Sequence, residues 1–220
     1  MTGIESLKGK IALVSGSAKG IGAAICVELA SKSVAHLFSH IASRLMRKWS
    51  RGALVIVNYP WPSELPDAEA VLDRIRKTES SSVDGCFAVE ADLSTLEGPA
   101  HLVEQTIKRV ERKIDILVNN AGVAVMAPLA DVTLTQWDVQ VNLNVRGAML
   151  LTQAVLPHLA QNSRIVNLSS VGARQGYVGS GWLRLVFVSF FGMNQVRMNV
   201  LKRQEFPPCH CGSFPNVIAG

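Results

Sequence analysis

A doubly wound parallel α/β sheet is the fold class this sequence predicts, on three observations. Short apolar runs alternate with segments of helical periodicity along the chain. The first run, Ile11-Ala12-Leu13-Val14, passes directly into a glycine turn, Gly16-x3-Gly20-x-Gly22, that opens a helix. The later runs end in Asn58-Tyr59, Ala91-Asp92-Leu93, Asn119-Asn120-Ala121-Gly122 and Ser169-Ser170. Small and polar residues at strand ends are where open α/β sheets gather their ligands.

The elements follow in order. The first strand spans Lys10 to Ser15, and the first helix runs from about Gly20 to Ser31 with Ile21, Ala24, Ile25 and Leu29 at helical spacing. A second buried-strand pattern, Ala53 to Val57, ends at Asn58-Tyr59-Pro60. A helix fits Asp67 to Lys77, with Ala68, Val71, Leu72 and Ile75 inward. Strand three is Gly85 to Glu90, and a helix over Thr95 to Arg112 carries Leu102, Val103, Ile107 and Val110 on one face. Strand four is Ile114 to Val118. A long helix is predicted over about Leu134 to Leu159, capped by Thr133 or Thr135, and strand five covers Arg164 to Leu168.

Two segments depart from this alternation. In a dinucleotide fold the tip of strand two lies about 20 residues past the glycines. Here Asn58 follows Gly22 by 36 residues, and Ser33 to Arg51 is the excess. Within it Val34, Leu37, Phe38, Ile41, Leu45 and Trp49 recur at helical spacing among basic residues. An amphipathic surface helix, a folded insertion and translated non-coding sequence all fit that pattern. The second departure is the tail from Trp182, which ends in a Pro/Cys/His-rich stretch. The division expected is therefore a dinucleotide-binding domain over residues 1–181, interrupted at 33–51, with an atypical tail over 182–220. Unspliced introns, or one intron and a frameshift, would produce both departures.

Composition narrows the function classes. With 220 residues and 48% apolar content, the chain can bury one sizeable core. The net charge of +5 divides unevenly: residues 33–51 contribute +4 and residues 182–220 contribute +3, leaving −2 for the rest. No aromatic-interleaved basic face accompanies it, so no nucleic-acid partner is expected. Met1 to Lys10 is polar, which predicts no leader peptide. The apolar run Leu185 to Phe191 falls far short of the roughly 20 residues a membrane helix needs. Cys26, Cys86, Cys209 and Cys211 form no disulfide framework, so a cytoplasmic setting is expected. Cys209-His210-Cys211 lacks a second ligand pair, and no metal is expected.

The glycine turn has a direct physical reading. Glycines let the backbone approach a pyrophosphate, and the positive N-terminal end of the following helix faces its charge. Alone, such a turn also fits an ordinary tight bend.

Taken together, these motifs resemble the short-chain dehydrogenase/reductase family over residues 7–32 and 52–180, nearest to its ketoreductases. The residues concerned are Gly16-x3-Gly20-x-Gly22, Asp92, Asn119-Asn120-Ala121-Gly122, Asn142 and Ser169-Ser170. Ser15 stands where the family usually has Thr. The resemblance implies a Rossmann fold in which Ser15, Gly16, Gly20, Ile21 and Gly22 line a pyrophosphate. Asp92 and Leu93 would hold the adenine, and Asn119, Ala121 and Gly122 would shape the floor near the ribose. The expected cofactor is NADP(H), because the strand-two tip at Asn58 carries no acid to repel a 2′-phosphate and Lys19 supplies a positive charge. The implied reaction interconverts a small-molecule ketone and alcohol, and homo-oligomers are common in the family.

The same resemblance assigns Ser170 to the substrate oxygen and Asn142 to a proton path. The family's general acid is a Tyr followed by Lys four residues later. That pair is absent here: Tyr59 is followed at that spacing by Ser63, and Tyr177 by Gly181. Tyr177 could stand in only by folding back over the site. An impaired reductase, an inactive nucleotide-binding protein and a truncated chain therefore remain alternatives.

Overall fold

The computed structural model describes residues 7–31, 52–78 and 85–170. Both departures, 33–51 and 182–220, lie outside these residues, as do Tyr177 and Cys209-His210-Cys211.

Five strands form one parallel sheet: β1 Ile11–Val14, β2 Leu54–Tyr59, β3 Phe87–Glu90, β4 Ile114–Asn119 and β5 Leu159–Asn167. Their order is β3-β2-β1-β4-β5. The chain winds outward from β1 in one direction through β3 and then restarts at β4 on the other side. The strand order reverses between β1 and β4, and a crevice opens beyond their C-terminal ends.

β1 is central, and all four of its residues are buried. Side chains alternate across a strand, so Ala12 and Val14 enter one core while Ile11 and Leu13 enter the other. The first core lies under helices α1, Gly20–Ser31, and α2, Leu65–Arg76. Ala23, Cys26 and Ala30 of α1 meet Val55 and Val57 there, together with Val71 and Ile75 of α2. The second core lies under α3, Gly98–Val110, and α5, Ala148–Val155, where Leu102, Val103, Leu151 and Val155 pack on Ile56, Ile114 and Leu117. Helices on both faces of a parallel sheet make the doubly wound architecture that the sequence predicts.

Two elements differ from expectation. The single helix over Leu134–Leu159 is three pieces: α4, Leu134–Gln140, a π-helical turn over Val141–Gly147, and α5. Thr133 caps α4 in a reciprocal box with Gln136, which settles the choice between Thr133 and Thr135. Gly147 lies directly against the Leu93 carbonyl, closer than any Cβ would allow. α5 stops at Val155, and a tight turn over Leu156–His158 delivers the chain to β5. β5 then starts five residues earlier than predicted, because an irregularity centred near Asn162 (φ 62°) absorbs extra residues between its Ile114 and Ile116 pairings.

The described residues that flank 32–51 lie close together. Ala53 N–H donates to the Leu29 carbonyl at 2.9 Å, and Gly52 packs on the Ala30 carbonyl so tightly that no side chain fits. The chain therefore resumes beside the C-terminal end of α1.

Candidate active site

The glycine turn connects β1 to α1 at the crevice. Gly16 and Gly20 both adopt left-handed backbone angles, φ 57° and 56°. Their surroundings differ. A Cβ on Gly16 would lie 2.7 Å from Ala121 Cα, so glycine there lets the turn seat against the loop after β4. Among the described residues nothing lies within 4 Å of such a Cβ on Gly20, so its backbone faces open space there. Gly22 closes the packing, with Gly16 O 2.7 Å from where its Cβ would stand. The first turn of α1 carries no acid, which leaves its positive end available to an anion.

Hydrogen bonds hold this turn from two sides. On the β4 side, Ser15 Oγ accepts from the N–H groups of Asn120 (2.9 Å) and Ala121 (3.0 Å). Asn120 Nδ2 donates to the carbonyls of Ser15 (2.9 Å) and Gly16 (2.8 Å). On the β2 side, Gly16 N–H donates to Asn58 Oδ1 at 2.9 Å, and Ser17 Oγ accepts from Asn58 N–H at 2.9 Å. Most of the polar groups of the turn are thus engaged internally, and the Gly20 end stays open.

The crevice is lined by Ile21, Asn119, Asn120, Ala121, Gly122, Asn144, Leu168 and Ser169. Ile21 covers one side and is 68% exposed. Below the floor, Asn119 Nδ2 donates to Thr152 Oγ1 at 3.0 Å and to Asn167 Oδ1 at 2.7 Å, which ties β4 to α5 and β5. Its Oδ1 is buried without a partner among the described residues.

Several sequence expectations change here. Asn142 does not line the crevice, and Asn144 does. Within the π-helical turn, the Asn144 side chain reaches the loop after β4: Nδ2 donates to the Val123 carbonyl and Oδ1 accepts from Val123 N–H, both at 2.8 Å. Two residues along a helix face different directions, so only one of these asparagines can meet the crevice. Asn58 is also different. It is 1% exposed and points inward, donating to the carbonyls of Ala91 (3.1 Å), Val89 (3.4 Å) and Tyr59 (3.4 Å). It shapes the turn and has no face toward a ribose.

Asp92 sits at the C-terminal edge of β3, where its carboxylate accepts from Ser94 N–H (2.9 Å) and Ser94 Oγ (2.7 Å). Leu93 is a buried core residue of the second cluster and is not among the residues that line the crevice. Ser170 follows Ser169 past the end of β5 and is half-buried. Tyr59 is buried in the first core at the end of β2, and β1 and β4 separate it from β5. At about 4.8 Å per strand, it is too far from Ser170 to act there. Lys19 is exposed, and its ammonium pairs with Asp67 Oδ2 at 3.0 Å and Glu64 Oε1 at 3.4 Å. The hydrogen bond that Lys19 donates to Asp67 is the largest influence holding its pKa above the ordinary lysine value.

Sequence reasoning passes over Ser17 and Asn144, which hold the glycine turn and the loop after β4 in place. Asn120 was legible as the second Asn of its motif. Asn144 carries a subtler signal, a glycine three residues on that packs against Leu93.

The open left-handed Gly20, the acid-free first turn of α1 and the small-residue floor at Ala121-Gly122 fit a dinucleotide pyrophosphate. Gly16, Gly20, Ile21 and Gly22 are the residues that would hold it. No group of three metal-ligating side chains occurs among the described residues, and no helix among them is long and apolar enough to cross a membrane.

Comparison with known proteins agrees with this fold. The profile of the family described as short chain dehydrogenase matches residues 41–182. The short-chain dehydrogenase/reductase FrzI of a Cladobotryum species is 37% identical over 172 residues, 78% of this chain and 57% of that protein. The hydroxynaphthalene reductase-like protein Arp2 of Metarhizium majus is 36% identical over 169 residues, 77% of this chain and 54% of that protein. The chain thus spans little more than half the length of these curated relatives. Among solved structures, a short chain dehydrogenase from Burkholderia cenocepacia in complex with NADP superposes with a TM-score of 0.69 at 29% identity, covering 86% of this chain and 67% of that one. A blue fluorescent protein from a metagenomic library, in complex with NADPH, gives 0.66 at 29% identity with the same coverage. The chain belongs to the short-chain dehydrogenase family.

Proposed function

We propose that this chain binds NADP(H) across the C-terminal ends of β1 and β4, and that its chemistry is reduction of a small-molecule ketone to an alcohol. The observation that carries the reading is the crevice between Ile21 of α1 and the Asn119–Gly122 floor, at the point where the strand order reverses. The NADP and NADPH complexes of the structural relatives, and the reductase names of the sequence relatives, support it.

When bound, the nicotinamide supplies the hydride. The residues around it must supply orientation and a proton. In this reading Ser170, next to the crevice-lining Ser169 just past β5, would hold a carbonyl oxygen by its hydroxyl. Asn144 positions the loop after β4 through its paired bonds to Val123. A carbonyl gaining negative charge needs a proton donor, and a serine hydroxyl alone is a poor one. Without a Tyr-x3-Lys pair, turnover is expected about 10²–10⁴-fold below that of a complete site. Homo-oligomerisation and a cytoplasmic setting belong to the same proposal.

Fluorescence titration with NADPH, followed by an NADPH-consumption assay on a panel of ketones, tests it. Saturable binding with slow, ketone-dependent consumption is expected. Saturable binding with no consumption would favour the inactive nucleotide-binding alternative, which the missing Tyr-x3-Lys pair motivates. No binding would refute the site.

A further inference from the structure

The Lys19 ammonium is the positive charge at the mouth of the glycine turn, and two carboxylates hold it. Its partners come from just past β2: Glu64 from the tight turn over Pro62–Glu64, and Asp67 from the first turn of α2. In a dinucleotide fold the 2′ position of the adenosine ribose lies near the tip of β2, where an acid favours the hydroxyl of NAD and a base the phosphate of NADP. The tip residue Asn58 is turned into the core and contributes nothing to that choice. The charged cluster just past this tip is one ammonium and two carboxylates, with a net charge of −1.

Resting on the dinucleotide reading above, we propose that Glu64 and Asp67 act as selectivity residues through Lys19, opposing a 2′-phosphate and leaving the site weakly discriminating between NADPH and NADH. A 2′-phosphate has to draw Lys19 away from two acceptors and then sits beside both of them. A 2′-hydroxyl displaces nothing and finds acceptors within the same cluster. Lys19 is more than half exposed, so the cost of recruiting it is modest, and so is the discrimination. Glu64 and Asp67 are positioning residues in this scheme: they act by where they hold the ammonium and by the charge they add.

The test is binding, read by fluorescence titration of NADPH and NADH separately, with thermal melts confirming that each variant folds. The Glu64→Gln/Asp67→Asn variant should tighten NADPH binding by about tenfold and change NADH binding by less than about twofold. Lys19→Met should weaken NADPH binding by less than about threefold in the native background and by about tenfold in the doubly neutralised one, a coupling that a purely structural role would not produce. Each single variant, Glu64→Gln and Asp67→Asn, should give part of the gain, so the result does not depend on the double variant alone. An equal gain for both cofactors, or no gain for NADPH, overturns the role of the carboxylates and leaves the dinucleotide site standing. Binding of neither cofactor to the native chain overturns the dinucleotide reading, and this proposal with it.

Discussion

Substituting Asn58 with Asp should damage the fold without creating NAD selectivity. Sequence logic says the opposite, since an acid at the tip of strand two is the usual device for binding ribose hydroxyls. The structure turns this side chain inward. Asn58 Oδ1 accepts from Gly16 N–H, and Nδ2 faces the carbonyls of Ala91, Val89 and Tyr59 at 3.1, 3.4 and 3.4 Å. A carboxylate keeps the first bond and loses all three donations. Tyr59 O retains Ala91 N–H at 2.8 Å and the parallel register pairs Val89 O with Tyr59 N–H, so the Ala91 carbonyl bears the loss. Leaving a buried acceptor unpaired costs about 1–3 kcal/mol, and a buried charge facing carbonyl oxygens adds to it. The expected destabilisation is about 3–5 kcal/mol, a melting temperature lower by on the order of 10 °C for a chain of this size. The new carboxyl should resist ionisation in the folded state. The penalty relative to the native chain should therefore be small near pH 4 and grow as the pH rises toward 7. Differential scanning calorimetry of both proteins across that range, with an NADH titration at pH 7, is the assay. A melting temperature within about 2 °C of native at pH 7, together with tighter NADH binding, would refute the inward placement of Asn58.

Four further outcomes are expected. Burial pushes the Cys26 thiol up to about 12, so the folded state keeps its proton where the unfolded chain has lost it. Stability from this group is complete below about pH 9 and falls as the pH rises from there toward 12; Cys26→Ala should flatten that part of a melting-temperature profile. Gly16→Ala should destabilise the fold markedly, because its Cβ would meet the Ala121 backbone at 2.7 Å and the backbone is left-handed. Gly20→Ala carries only the backbone cost of about 1–2 kcal/mol, and should weaken NADPH binding far more than it lowers the melting temperature. Deleting residues 32–51 and joining Ser31 to Gly52 through a short linker should preserve far-UV circular dichroism and a cooperative melt, because Leu29 and Ala53 already share a hydrogen bond at 2.9 Å. Loss of cooperative unfolding in that deletion would show that the excess segment is part of the core.

The alternation of strands and helices, and the residues at the ends of β1, β3 and β4, are legible in the sequence because they rest on local patterns. Period, small residues and strand-end polarity need no knowledge of what lies opposite. Side-chain direction at the site is another matter, since it depends on contacts that the sequence separates widely. Asn58 and Gly16 are 42 residues apart, and Asn120 lies 104 residues from Gly16, yet these contacts shape the turn. Asn142 and Asn144 are indistinguishable as polar residues within one helical pattern. A single π-helical turn, with Gly147 against the Leu93 carbonyl, decides which one meets the loop after β4. Lys19 shows the same limit in its electrostatics. It reads as a free positive charge beside a glycine turn until the start of α2 brings Asp67 to 3.0 Å from it. A charge on the glycine turn therefore says little about cofactor choice until its partners are known, and here they lie on the element that follows β2.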